Sequence, residues 1–167
     1  FKSNGTEAYP VCGDLSDPAA CERVWADTEK KLGHIDVLVN AAGISLVDFF
    51  DTMTPAQWKT LCDTNLSSAI YLSQCASCSM IRQKSGAIVN VSSVASRLGS
   101  PGEYVDYAAS KGAIDTLTTG LSLEVAAQGI RVNCVRPGFI YTEMHASGGE
   151  PGRVDRVKSN IPMQRGG

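Results

Sequence analysis

The sequence predicts an α/β fold built as a doubly wound parallel sheet. Short, β-branched, nearly continuous apolar runs recur at residues 35–40, 87–91 and 130–135, and segments with helical spacing of apolar residues separate them. Such runs suit strands buried on both faces, and helical links of this length join parallel strands through right-handed crossovers. Small and polar residues gather where the runs end: Asp14, Asn40 to Gly43, Ser92 with Ser93, and Pro137 with Gly138. In sheets of this kind ligands sit at the C-terminal ends of the strands.

Each element has its own local cause. Tyr9-Pro10-Val11-Cys12 reads as a first short extended piece, since proline biases the residue before it away from helix. Asp17 as N-cap and Pro18 at the first helical position open a helix through Val24, Trp25 and Leu32, with Gly33 as its stop. Thr54-Pro55-Ala56-Gln57 is a capping-box pattern. It opens a helix carrying Trp58, Leu61, Leu66, Ile70 and Leu72 to about Arg82, and Lys84-Ser85-Gly86 breaks it. A further helix covers about residues 103–128, ended by Gly129. Beyond Phe139 the chain is Gly-rich and polar, with one short helix expected near Arg153 to Lys158.

Composition narrows the class. The chain has 167 residues, 17.7 kDa, a net charge of −2, 19% charged and 43% apolar residues. That length suits one domain, the balance excludes a disordered tail, and there is no basic excess to attract nucleic acid. No apolar run approaches the ~18 residues that span a bilayer, and no secretory leader is visible. Six cysteines are too few for a disulfide scaffold, so reduced thiols in the cytoplasm are expected. Cys75 and Cys78 have no second pair at metal spacing, and His34 and His145 are distant, so both read as small packing residues rather than zinc ligands.

The sharpest chemical feature is Tyr107-Ala108-Ala109-Ser110-Lys111. Residues i and i+4 share a helix face, so the phenol and the ammonium stand side by side. A free phenol titrates near ~10. A neighbouring cation is expected to lower that value toward the range where general acid–base catalysis works. The bland reading is an aromatic and a lysine that happen to be neighbours, and Tyr-x-x-x-Lys alone is weak. Context favours chemistry, because Ser93 ends the strand before this helix and Asn40-Ala41-Ala42-Gly43 ends the one before that.

Together these residues resemble the short-chain dehydrogenase/reductase family. Asn40-Ala41-Ala42-Gly43 is similar to its Asn-Asn-Ala-Gly motif with Ala at the second position, and Asn65 matches its mid-helix asparagine. Ser93 matches the serine, Tyr107 and Lys111 the catalytic pair, Pro137-Gly138 with Thr142 the segment beside the nicotinamide, and Asp14 the acidic residue near the adenine. The resemblance implies a Rossmann-like domain over 1–167, with 139–167 as the substrate-loop region. It implies NAD or NADP as cofactor, bound by Asp14, Leu15, Asn40, Ala41, Ala42, Gly43, Tyr107, Lys111, Pro137, Gly138, Ile140 and Thr142. It also implies catalysis by Asn65, Ser93, Tyr107 and Lys111. Tyr107 moves the proton, Lys111 lowers its pKa and binds the ribose, and Ser93 orients the substrate oxygen. Asn65, at a local break in its helix, holds a water that links Lys111 to solvent.

Two departures matter. The Gly-x-x-x-Gly-x-Gly loop does not occur before Asp14, and with Phe1 first and Arg165-Gly166-Gly167 last the chain is expected to be an internal portion of a larger enzyme, incomplete at both ends. Ser93 stands 14 positions before Tyr107, one more than in many relatives, and Ser92 is the rival for its role. The expected activity is hydride exchange between a nicotinamide cofactor and a secondary alcohol or ketone. A sugar, polyol or other small hydroxy compound is the first choice and a 3-oxoacyl thioester the alternative. A non-catalytic dinucleotide-binding or scaffold protein on the same fold is a rival of another class, and a standalone partner-binding piece is a third. The family also implies a homo-oligomer, a dimer or tetramer, through the helices holding Asn65 and Tyr107. His145 is expected to be solvent-exposed, Tyr104 to serve packing or substrate contact, and residues 148–152 to form a hinge loop.

Overall fold

The computed structural model describes residues 5, 7–45, 50–147 and 149–167, with Ser147 described by its backbone alone. Phe1 and Gly148, both used in the sequence reading, lie outside the described residues. Among them, three parallel strands form one sheet in the order β1 (Val37–Asn40), β2 (Gly86–Val91), β3 (Ile130–Val135). The helices are α1 (Pro18–Leu32), α2 (Pro55–Cys62), α3 (Ser68–Gln83), α4 (Ala95–Leu98), α5 (Val105–Val125), α6 (Met144–Ser147) and α7 (Arg153–Val157).

Helix boundaries follow their caps. The Asp17 carboxylate accepts from the Ala19 N–H, with Pro18 at the first position of α1. Thr54 and Gln57 form the reciprocal capping box of α2, an arrangement worth about 1 kcal/mol. Gly129 turns α5 into β3 at φ 80°, where a Cβ would lie 2.7 Å from the Lys84 carbonyl oxygen. Both the backbone conformation and the close approach require glycine there. The helix expected from Thr54 to Arg82 is divided: a π-helical turn, Asp63–Ser67, joins α2 to α3.

The sheet register aligns side chains into rows. Leu38, Ile88 and Val132 are paired across the three strands. They pack with Trp25 of α1, Ala76 and Met80 of α3 and Val125 of α5 in one core. Ile88 is wholly buried, which stabilises the fold by about 2 kcal/mol. Strand side chains alternate between faces, and on the opposite face Val37 and Val39 are 55% and 54% exposed. The expectation of strands buried on both faces is therefore corrected for the described residues. The reason is topological. Each crossover, through α3 and then α5, advances in the same direction across the sheet, and right-handed crossovers of one direction place their helices on one face.

Two further expectations change. Residues 9–12 form no ladder with β1 or any other described strand. The short helix α4, between β2 and the turn before α5, was not foreseen. Cys75 packs against the core, as expected for a small apolar residue, but Cys78 is exposed.

Candidate functional site

The C-terminal ends of β1, β2 and β3 open into one cavity of about 370 Å³. Ala41 and Gly43 line it after β1, Ser93 after β2, Pro137, Gly138, Ile140 and Thr142 after β3, and Tyr107 and Lys111 reach it from α5. Of the catalytic and cofactor-binding candidates from sequence, these nine converge. Asp14, Leu15, Asn40, Ala42 and Asn65 do not line it.

Asn65 lies beneath the cavity. It occupies the π-helical turn, is 2% exposed, and grips the chain after β1 from both sides. Its Oδ1 accepts from the Ile44 N–H at 2.8 Å, and its Nδ2 donates to the Ile44 carbonyl at 2.9 Å and to Ser110 Oγ at 3.2 Å. π-turns of this kind interrupt the regular hydrogen-bond ladder and recur at functional sites, which agrees with the helix break the resemblance implied. A Cβ on Gly43 would lie 3.4 Å from both Asn65 Oδ1 and Lys111 Nζ, so glycine keeps this junction open.

Asn40 turns the other way. Its Nδ2 donates to Ser73 Oγ at 3.0 Å and to Asn90 Oδ1 at 2.8 Å, and Asn90 donates in turn to Thr118 Oγ1 at 2.9 Å. This polar row runs from α3 through β1 and β2 to α5, one step beyond the apolar row of Leu38 and Ile88. The Asn40 side chain does not reach the cavity: strand alternation places it on the helix-covered face, inside the protein. Asp14 is exposed, and its carboxylate accepts from the Ser16 N–H and Ser16 Oγ at 3.0 and 2.7 Å. Those two bonds hold its pKa below the ordinary carboxylate value.

Both serines border the cavity, but they differ in what they bond. Ser92 is 3% exposed and its hydroxyl donates to the Lys111 carbonyl at 3.1 Å. Ser93 faces the cavity beside Tyr107 and accepts from the Ala95 N–H at 3.1 Å. Burial pushes the Tyr107 phenol above its ordinary value, while Ser93 and the charge of Arg153 pull it back. The expected lowering by Lys111 is therefore corrected. Lys111 and Tyr107 do share a helix face, with Nζ 5.7 Å from the ring centroid. The ammonium is turned toward β2, however, and donates to the Val91 carbonyl at 2.9 Å. Lys111 is 4% exposed, and burial lowers its own pKa.

A second layer fastens this floor. Asp115, one turn beyond Lys111, accepts from Arg136 Nε and Ser96 Oγ, each at 2.8 Å. Burial raises its pKa, but hydrogen bonds from Arg136 and Ser96 and the Arg136 charge outweigh this and hold it at about 2. Asp115 thus ties the Ser93 turn and the end of β3 to α5. The wall above the floor comes from Val94, Leu98, Tyr104, Phe139, Met144, His145 and Arg153. His145 is half-buried on this wall and its Nε2 bonds the Ile140 carbonyl oxygen at 3.0 Å, which corrects its expected exposure. Arg153 and Asp115 were missed in the sequence. Only an acidic residue eight positions after Tyr107 hinted at the latter.

The sequence matches the short chain dehydrogenase family pattern over residues 1–151. The chain is 59% identical to an uncharacterized oxidoreductase, YgfF, of Escherichia coli strain K12, over 98% of this chain and 68% of that protein. It is 33% identical to a 3-oxoacyl-[acyl-carrier-protein] reductase, FabG, of Staphylococcus aureus strain Mu50, over 100% of this chain and 67% of that protein. The crystal structure of a gluconate 5-dehydrogenase from Burkholderia cenocepacia J2315, in complex with NADP and tartrate, superimposes with a TM-score of 0.85 at 33% identity, covering 93% of this chain and 61% of that one. The chain spans about two thirds of the length of these proteins. A cavity at the strand ends, a tyrosine and lysine one turn apart upon it, a serine facing the tyrosine and an asparagine in a π-turn below recur here together, and with the family match they place the chain in the short-chain dehydrogenase family.

Proposed function

We propose that this chain carries the catalytic centre of a nicotinamide-dependent oxidoreductase that interconverts a secondary alcohol and a ketone. The observation that carries the reading is the shared cavity of Ser93, Tyr107 and Lys111 beneath small strand-end residues. The cavity fits a nicotinamide nucleotide, because Gly43, Pro137 and Gly138 offer a surface without long side chains beside the Lys111 ammonium. Ala41, Gly43, Pro137, Gly138, Ile140 and Thr142 would hold the nicotinamide half, and Lys111 the ribose. NADP in the gluconate 5-dehydrogenase complex supports this cofactor class. When bound, the cofactor supplies or accepts the hydride.

The residues of this chain handle the proton. In reduction Tyr107 Oη donates its proton to the carbonyl oxygen as the carbonyl carbon is reduced. In oxidation the phenolate takes the proton of the alcohol. Ser93 Oγ, which lines the cavity with Tyr107, orients the same oxygen and stabilises its developing charge. The raised proton affinity of Tyr107 keeps it protonated before reduction, and Ser93 and the Arg153 charge favour the phenolate left behind. Asn65 holds the chain after β1 rigid, and its π-turn offers backbone groups for a water leading from Lys111.

The same reading assigns a sugar, polyol or other small hydroxy compound as substrate, with a 3-oxoacyl thioester as the alternative suggested by FabG. It assigns a cytoplasmic homo-oligomer, dimer or tetramer, assembled through α3 and α5, where Ile70 and Leu123 are exposed apolar residues. Tyr107→Phe in the full-length protein is the test, assayed with NADP or NAD against gluconate, cyclohexanol and a 3-oxobutyryl thioester. Turnover of the accepted compound should fall at least about 10³-fold while cofactor affinity stays within about threefold. Turnover at the unsubstituted level would refute the assignment.

A further inference from the structure

Arg153 belongs to no motif, yet it is the most elaborately held side chain of the cavity wall. It is 8% exposed. Its guanidinium carbon stands 4.2 Å from the Tyr104 ring centroid and 5.5 Å from that of Phe139. Nη2 forms an ion pair with Glu103 across 50 positions of sequence, whereas Nε is buried without a hydrogen-bond partner. Tyr104, itself 6% exposed, meets Tyr107 edge-on, with ring centroids 6.4 Å apart and planes at 68°. A continuous row of ring and guanidinium contacts therefore runs from Phe139 through Arg153 and Tyr104 to the edge-on Tyr107.

We propose that Arg153 is a positioning residue for Tyr107: it clamps Tyr104 edge-on against the phenol and holds a fixed positive charge on the cavity wall beside it. The inference rests on the assignment of Tyr107 as the proton-transferring group. A flat guanidinium suits the clamp, since it stacks on aromatic faces while its edge pairs with a carboxylate. Within a partly buried cavity its charge is weakly screened and favours the ionised phenol. The influence of Arg153 on Tyr107 already has that direction.

The surroundings set the sign. Ser93 approaches Tyr107 from the turn after β2, Lys111 from its own helix, His145 shares the cavity from α6, and Arg153 comes from α7. Glu103, in the turn before α5, answers the Arg153 charge, and also pairs with Arg156, which pairs in turn with Glu150. Removing the arginine and removing its glutamate should therefore shift Tyr107 in opposite directions. A side chain that only packed the wall would not separate the two.

The experiment follows the Tyr107 titration by NMR of ¹³Cζ-tyrosine in the full-length protein, with Tyr107→Phe assigning the resonance. Arg153→Met should raise the midpoint by about 0.5 to 1 pH unit, and Glu103→Gln should lower it. Arg153→Lys should restore the charge and bring the midpoint back to within about 0.3 unit of the parent. The acid limb of kcat/KM for alcohol oxidation should move with these midpoints. An unmoved midpoint in folded Arg153→Met, or shifts of the same sign in Arg153→Met and Glu103→Gln, would overturn the proposal. Undiminished turnover by Tyr107→Phe would instead overturn the catalytic assignment and leave the titration result standing.

Discussion

On the floor of the cavity Lys111 and its neighbours are fastened by groups in the fold's regular framework. Lys111 Nζ bonds the carbonyl of Val91 at the end of β2, Ser92 returns a bond to the Lys111 carbonyl, and Asp115 links Ser96 and Arg136 to the same helix. The wall is held differently. Arg153 and Arg156 of α7 reach Glu103 over some 50 positions, and Arg156 is half exposed. The floor thus sits on strands and a 21-residue helix, whereas Met144, His145 and Arg153 of the wall sit on two helices of four and five residues joined by turns. Chemistry common to a reaction type is expected on the rigid part, and discrimination between substrates on the part that can be rebuilt without disturbing the sheet.

The strongest way to break this comparison is Lys111→Met. The ammonium is buried and its pKa is lowered by that burial, so folding gains little from it, while the proposed chemistry needs its charge. Turnover should drop by about 10² to 10⁴-fold, and the melting temperature should shift by no more than about 4 °C. A collapse of stability with activity retained per folded molecule would show that the floor lysine is structural.

That contrast also marks what was legible in the sequence. Tyr107 and Lys111 are four apart on one helix, and Ser93 and Gly43 end strands, so short-range periodicity brought them together before any coordinates. The helix caps at Asp17 and Thr54 were readable for the same reason. Two kinds of information were not local. The pairing of Glu103 with Arg153 leaves no spacing signal, because α7 reaches back across the whole of α5 and β3. The side to which Asn40 points depends on strand alternation and on which face the helices cover, and that face followed from the direction of successive crossovers rather than from any residue. The sign of the Tyr107 shift was misread for a related reason: adjacency on a helix fixes a face, but not where a long lysine side chain directs its ammonium.

Asp115 sharpens the comparison by pH. Its folded pKa of about 2 lies below the ordinary 3.8. A depressed carboxylate stabilises the fold above its unfolded pKa and loses that contribution as pH falls from about 4 toward 2. The full contribution is about 2 kcal/mol. Asp115→Asn should therefore lower stability near neutral pH, and the gap between variant and parent in urea unfolding should close as the pH approaches 2. A gap independent of pH would mean that the floor is held by packing around Asp115 and not by its charge.

The smallest effect is expected on the outer wall. Glu150 accepts from Arg156 Nε, and the two side chains are 35% and 51% exposed. Exposed ion pairs of this type contribute at most about 1 kcal/mol, less as salt rises. Arg156 also retains Glu103 as a partner, so loss of Glu150 leaves no charge unanswered. Glu150→Gln should change unfolding stability by less than about 0.5 kcal/mol, with the difference vanishing at high ionic strength. If it instead lowers stability as much as Asp115→Asn, the wall is built as tightly as the floor. Substrate choice would then have to reside in the apolar side chains Leu98, Phe139 and Met144 rather than in movement of α6 and α7.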